Sequence, residues 1–119
     1  MRYVIALLLL TLAPQTLAQA LTTTDYSASI GTTATPCVPA DASRKTLYIE
    51  NESSTNNLGY CISTGNTACT PSIGTAGTSE LSGSSNPSSA WWTNGSAPRD
   101  AVWCIASGAS TPVTIRVGK

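Results

Sequence analysis

The sequence contains no histidine and no phenylalanine, and only 10% of its residues are charged. Each shortage excludes something. Without histidine no imidazole can activate a serine as in the usual hydrolytic triads, and none can join cysteine at a zinc site. The four cysteines, at 37, 61, 69 and 104, include no C-x2-C pair, so a zinc cluster has no spacing to build on. An average domain carries about 25% charged residues. Here Ser and Thr supply the polar surface instead. Thr is β-branched and Ser competes for backbone hydrogen bonds, so this composition suits strands better than helices. From residue 21 onward no segment holds a helical period.

Basic stripes are also missing. After residue 20 the cations are Arg44, Lys45, Arg99, Arg116 and Lys119, and the acids are Asp25, Asp41, Glu50, Glu52, Glu80 and Asp100, a net charge of −1. Nothing here tracks a phosphate backbone, and nucleic acid is not an expected partner.

What is present begins with a leader. Met1-Arg2-Tyr3 carries one positive side chain, Val4 to Ala13 is apolar except for Thr11, and Leu17-Ala18-Gln19-Ala20 offers small residues for cleavage. This reads as a secretory signal peptide over residues 1–20. The apolar run falls short of the roughly 20 residues a spanning helix needs, so no stable membrane insertion is expected after cleavage. The remainder, residues 21–119, is expected to form one domain in the secreted or periplasmic space.

In an exported chain of this size, four cysteines read as two disulfides. Three pairings are open, and spacing favours Cys61–Cys69 with Cys37–Cys104. Closing these loops is worth about 2.6 and about 4.4 kcal/mol by chain entropy. Paired cysteines offer no free thiolate for catalysis. Lys45 stands beside no S-x-x-K motif. Glu50 and Glu52 would share one face if their strand continued, which is the geometry of a glycosidase pair. Their neighbours Asn51, Ser53 and Ser54 describe a solvated strand end instead. The expectation is therefore a protein that is not an enzyme, with no cofactor and no metal.

Period-2 alternation marks the strands. Residues 26–31 place Tyr26, Ala28 and Ile30 on one face. Pro36-Cys37-Val38-Pro39 can only be an edge or a connection, because each proline removes a ladder donor. Lys45–Asn51 puts Leu47 and Ile49 toward a core. Leu58–Ser63 reads as its return strand across the polar loop Glu52–Asn57, which makes 44–63 the organising hairpin. Glu80-Leu81 suggests a short strand inside a long Gly/Ser/Thr stretch, and Ala90–Thr93 is an aromatic strand before the Asn94-Gly95 turn. Ala101–Ser107 and Pro112–Val117 should close the chain as a hairpin. The sum is an all-β, disulfide-stapled antiparallel β-sandwich of about 7–8 short strands, immunoglobulin-like or jelly-roll-like.

Aromatic residues are the candidate contacts. Adjacent Trp91 and Trp92 must face opposite sides of a strand, so one joins the core and one is exposed. With no phenylalanine, one or two tryptophans should fill the middle of the sandwich. Trp91, Trp92 and Tyr48 are the expected contact residues. Asn51-Glu52-Ser53 and Asn94-Gly95-Ser96 match the glycosylation acceptor pattern.

Ser43-Arg44-Lys45-Thr46-Leu47-Tyr48-Ile49-Glu50-Asn51, followed by Leu58-Gly59-Tyr60-Cys61, resembles the start of small β-sandwich proteins of phage structural genes. The strand Val102–Ala106 and the terminal strand Pro112–Val117 resemble their close. The resemblance spans roughly residues 40–119. It implies a structural or adhesive part of a capsid, neck, tail or fibre, working through protein–protein contacts. The leader and the four cysteines differ from a part assembled in a reducing cytoplasm, and they imply export, to a virion or a cell surface. Expected partners are other proteins of that assembly, self-association included. The alternative is a secreted carbohydrate-binding module whose exposed Trp and Tyr meet surface glycans.

Overall fold

The computed structural model describes residues 22–119, and the expected signal peptide lies outside them. Among the described residues nine strands form: β1 (Thr23–Asp25), β2 (Ala28–Ile30), β3 (Thr35–Val38), β4 (Thr46–Asn51), β5 (Leu58–Ile62), β6 (Ser79–Leu81), β7 (Ser88–Trp92), β8 (Val102–Ala106) and β9 (Thr111–Gly118). They make two antiparallel sheets in a sandwich-like arrangement. The first sheet has the order β1-β9-β4-β7, with β2 beside β1 on β9. The second has the order β3-β8-β5-β6.

The core lies between the sheets and follows the alternation. Leu47 and Ile49 of β4, Leu58 of β5, Val102 and Cys104 of β8, and Ile115 of β9 are fully buried. Each large aliphatic side chain among them contributes about 1.5–3 kcal/mol by leaving water. No tryptophan occupies this middle. Trp92 packs against the core from its margin, edge-on to Tyr60 at 5.9 Å, and Trp103 is half-buried. Leu47, Ile49, Leu58, Val102 and Ile115 fill the middle instead.

One strand expectation changes, and the edge-or-connection reading of Pro36–Pro39 resolves to an edge strand. The segment 26–31 is interrupted, because Asp25 Oδ1 accepts from the Ser27 amide at 2.8 Å and breaks the ladder at Tyr26–Ser27, while β1 and β2 keep one register along β9. The hydroxyl of Ser27 accepts from the Ile115 amide in place of a backbone carbonyl. Thr35–Val38 is a true strand, at an edge and with a register shift between Pro36 and Val38. These two additions bring the count to nine.

The two expected hairpins are not hairpins. β4 lies in the first sheet and β5 in the second, so Glu52–Asn57 crosses between sheets. β8 and β9 are likewise in opposite sheets. A turn signal reports that the chain reverses. It does not report whether the returning strand pairs with its predecessor or packs across the core from it. Of the consecutive strands, only β5 and β6 pair with each other.

Cys37 is bonded to Cys104 and Cys61 to Cys69. The first bridge ties edge strand β3 to β8. The second closes the loop after β5, where Gly65 takes φ +57° in the turn. Two such bridges fit an oxidising compartment.

Candidate contact surface

The outer faces of the two sheets differ. Over the second sheet, the chain after Cys69 folds back. Pro71 is buried, and a Cβ on Gly59 would meet Ile73 and Thr78 at 2.9 Å. Glycine at that position lets the segment lie flat on the strand. The outer face of the first sheet is open. Its alternate residues Thr46, Tyr48 and Glu50 from β4, Trp91 from β7, and Thr114 and Arg116 from β9 surround a hollow of about 470 Å³.

Register explains the gathering. Tyr48 lies between Trp91 on one side and Arg116 on the other. The Trp91 and Tyr48 rings meet edge-to-face at 6.5 Å and 89°. Trp91 is 71% exposed, the one large hydrophobic side chain so placed among the described residues. The tryptophan pair therefore divides as alternation requires, with Trp91 outward and Trp92 inward.

The polar groups of the hollow are already oriented. The Tyr48 hydroxyl donates to Glu50 Oε2 at 2.7 Å. That bond to a carboxylate raises the Tyr48 pKa, with burial adding to it. The Thr114 hydroxyl donates to Glu52 Oε1. Glu50 and Glu52 thus reach the same hollow, each held by a hydroxyl. Glu52 is exposed and Glu50 half-buried. The surface offers an aromatic wall, two carboxylates and a guanidinium, a set suited to contact and hydrogen bonding. Among the described residues no group of three His, Cys, Asp or Glu could hold a metal ion.

Other singled-out residues fall elsewhere. Asn51 is fully buried, and both protons of its amide are used, on Asn56 O at 2.8 Å and Leu81 O at 2.9 Å. Its acceptor motif is closed to modification in the folded chain. Asn94, in the exposed turn with φ 54°, is open. Cys37 and Cys104 lie at the β3–β8 contact, and Cys61 and Cys69 under the opposite face, away from the hollow.

Arg44 was legible only as a strand-leading cation, yet it is among the largest fully buried side chains. Its guanidinium donates to the carbonyls of Pro39, Pro98 and Asp100. Burial lowers its pKa, and Asp41, Tyr26 and Asp100 act in the other direction. Its Nε has no partner among the described residues. The signal available in the sequence was the pair of proline-containing loops that supply two of those carbonyls.

No protein-family model, curated protein or solved structure matches the chain.

Proposed function

We propose that this chain is an exported, non-catalytic structural or adhesive protein of a virion or cell surface, in a sandwich of immunoglobulin-like or jelly-roll-like kind. It works through protein–protein contact at the open outer face of the first sheet. The observation that carries this reading is Trp91, 71% exposed and braced edge-on by Tyr48 beside the hollow. Tryptophans in this setting are the residues on which interfaces concentrate their energy. The two disulfides support an extracytoplasmic site of action.

The test is co-sedimentation of the full chain with particles or cells of its source. A central aromatic anchor is worth about 2 kcal/mol or more, so Trp91→Ala is expected to weaken binding by at least about thirtyfold. Undiminished co-sedimentation of that variant would sink the reading.

A second reading has its own support. The hollow combines an aromatic ring with Glu50, Glu52, Thr114 and Arg116, and such polar groups suit sugar hydroxyls while the ring stacks on a pyranose face. In this version the ligand is a surface glycan. Intrinsic tryptophan fluorescence should then shift on titration with a polysaccharide and lose the shift in Trp91→Ala. A panel of neutral and acidic polysaccharides that leaves the spectrum unmoved removes this reading and leaves the first intact.

A further inference from the structure

A sheet edge exposes unpaired backbone donors and acceptors, and natural proteins blunt it with short strands, proline, bulges or charge. The two sheets have four edges. On the β1/β2 side of the first sheet, the ladder is interrupted at Tyr26 and Ser27, and neither strand exceeds three residues. Strand β3 carries Pro36 and a register shift. Strand β6 has three residues, with Glu80 exposed at its centre. Each of these edges has a device against further pairing.

The fourth edge has none. Strand β7, Ser88-Ser89-Ala90-Trp91-Trp92, pairs with β4 over all five residues without a register shift. It contains no proline, no glycine and no charge, and among the described residues no strand covers its other side. Proline stands just outside it, at Pro87, where it leaves the run intact.

We propose that two copies of this chain pair antiparallel through β7, centred on Ala90, and join their first sheets into one. This centring is the only antiparallel register that uses all five residues of both strands. It sets Ser88 opposite Trp92 and Ser89 opposite Trp91, with no like charges opposed, so the strand is complementary to itself. An isologous contact of this kind closes on two copies and does not propagate. Antiparallel neighbours show the same face, so both Trp91 rings lie on one side, as a diagonal pair roughly 7–8 Å apart and within reach of each other. The dimer therefore presents its two hollows in the same direction. A five-residue strand pair is a small interface, so a weak, concentration-dependent dimer is expected.

Sedimentation of the full mature chain from micromolar to millimolar concentration tests this. The mass is expected to rise from one chain to two. A mass that stays at one chain throughout overturns the proposal. Successive N–H groups of a strand point to alternate sides. The Glu52 amide donates to Pro112 O across β9, so the Ile49 amide faces Ala90 in the β4–β7 ladder. Ser89→Pro therefore removes a donor from the open edge, while Ala90→Pro would instead break the β4 ladder. Ser89→Pro with native circular dichroism should stay monomeric, and a dimer in that variant places the interface elsewhere. Amide exchange on the unmodified chain needs no variant. Alternate amides of β7 should slow at high concentration and quicken on dilution, and β7 amides indifferent to concentration also overturn the proposal.

Discussion

Strand β4 joins two ends of the molecule that are sealed by different chemistry. Before it, Arg44 is a buried cation held by three loop carbonyls, with no carboxylate of the described residues bonded to it. Around it the same end is laced by charge: Lys119 Nζ lies 2.6 Å from Asp41 Oδ2, and Asp41 also accepts from the Ser43 amide and hydroxyl. At the far end of β4 the seal is neutral. Asn51 donates to two carbonyls and accepts from Ser53 N at 3.1 Å. Asn56 donates to Thr111 Oγ1, and Asn57 ties Gly83 to Ser107. Gly83 and Gly108 press on Asn56 so closely that a Cβ on either would meet it at 2.5 Å. Both ends solve one problem, the loops that cross between sheets and leave backbone groups away from water. An arginine reaches across loops that lie far apart. Short amides suffice where glycine lets the loops touch.

The comparison can be broken most severely at the cation. Arg44→Ala leaves a cavity and strands three carbonyls, and urea denaturation should show a loss of about 3–5 kcal/mol. Arg44→Lys keeps the charge but not the planar fork, and its loss should be smaller. A lysine variant as unstable as the alanine one would mean that geometry alone holds this end.

At the neutral end, Asn51→Ala should lose about 2–3 kcal/mol, since two buried carbonyls lose their donor. Asn51→Asp sharpens the contrast. Its carboxyl is buried, so its folded pKa should rise above the unfolded value. The variant should then gain stability as pH falls, unlike the parent, as followed by melting temperature against pH.

The charged end has its own pH signature. The bond from Lys119, then those from Ser43, hold Asp41 well below its ordinary value of 3.8. A depressed carboxylate stabilises above its unfolded pKa and loses that contribution as pH falls through the folded one. Asp41 raises the pKa of Lys119 from 10.5, so that contribution is complete below 10.5 and is lost as pH rises through the folded value. Asp41→Asn should flatten both limbs of the melting profile. Unchanged limbs would show that this surface pair contributes nothing to stability.

Trp91→Ala should have the smallest effect, within about 0.5 kcal/mol, because the side chain is mostly in water. A large loss would make Trp91 part of the scaffold, and its exposure would no longer speak for contact.

Much of the local structure was legible. Leu47 and Ile49 of β4, and Val113, Ile115 and Val117 of β9, are buried as their alternation requires. Asn94-Gly95 is a turn with positive φ at both residues, and the strand at Glu80-Leu81 is there. The face of Tyr48 followed from alternation, and so did the division between Trp91 and Trp92, but which of the two turned outward did not. What also escaped was the gathering of Glu50, Glu52, Thr114 and Arg116 around Tyr48 and Trp91, because that depends on β9 and β7 flanking β4. Asn51 and Arg44 escaped for a related reason. A polar residue at a strand end looks solvated until the loops that bury it are known.

By itself the sequence determined the class of the fold and the direction of side chains along each strand. Those follow from the period of two, β-branched composition and turn residues, all of which act within a few residues of chain. Only the tertiary structure decided which sheet each strand joined, which turned two expected hairpins into crossings between sheets. It alone put a cation and an asparagine at the two ends of the core. Strand partners are chosen by burial shared between distant segments, and no local pattern carries that information.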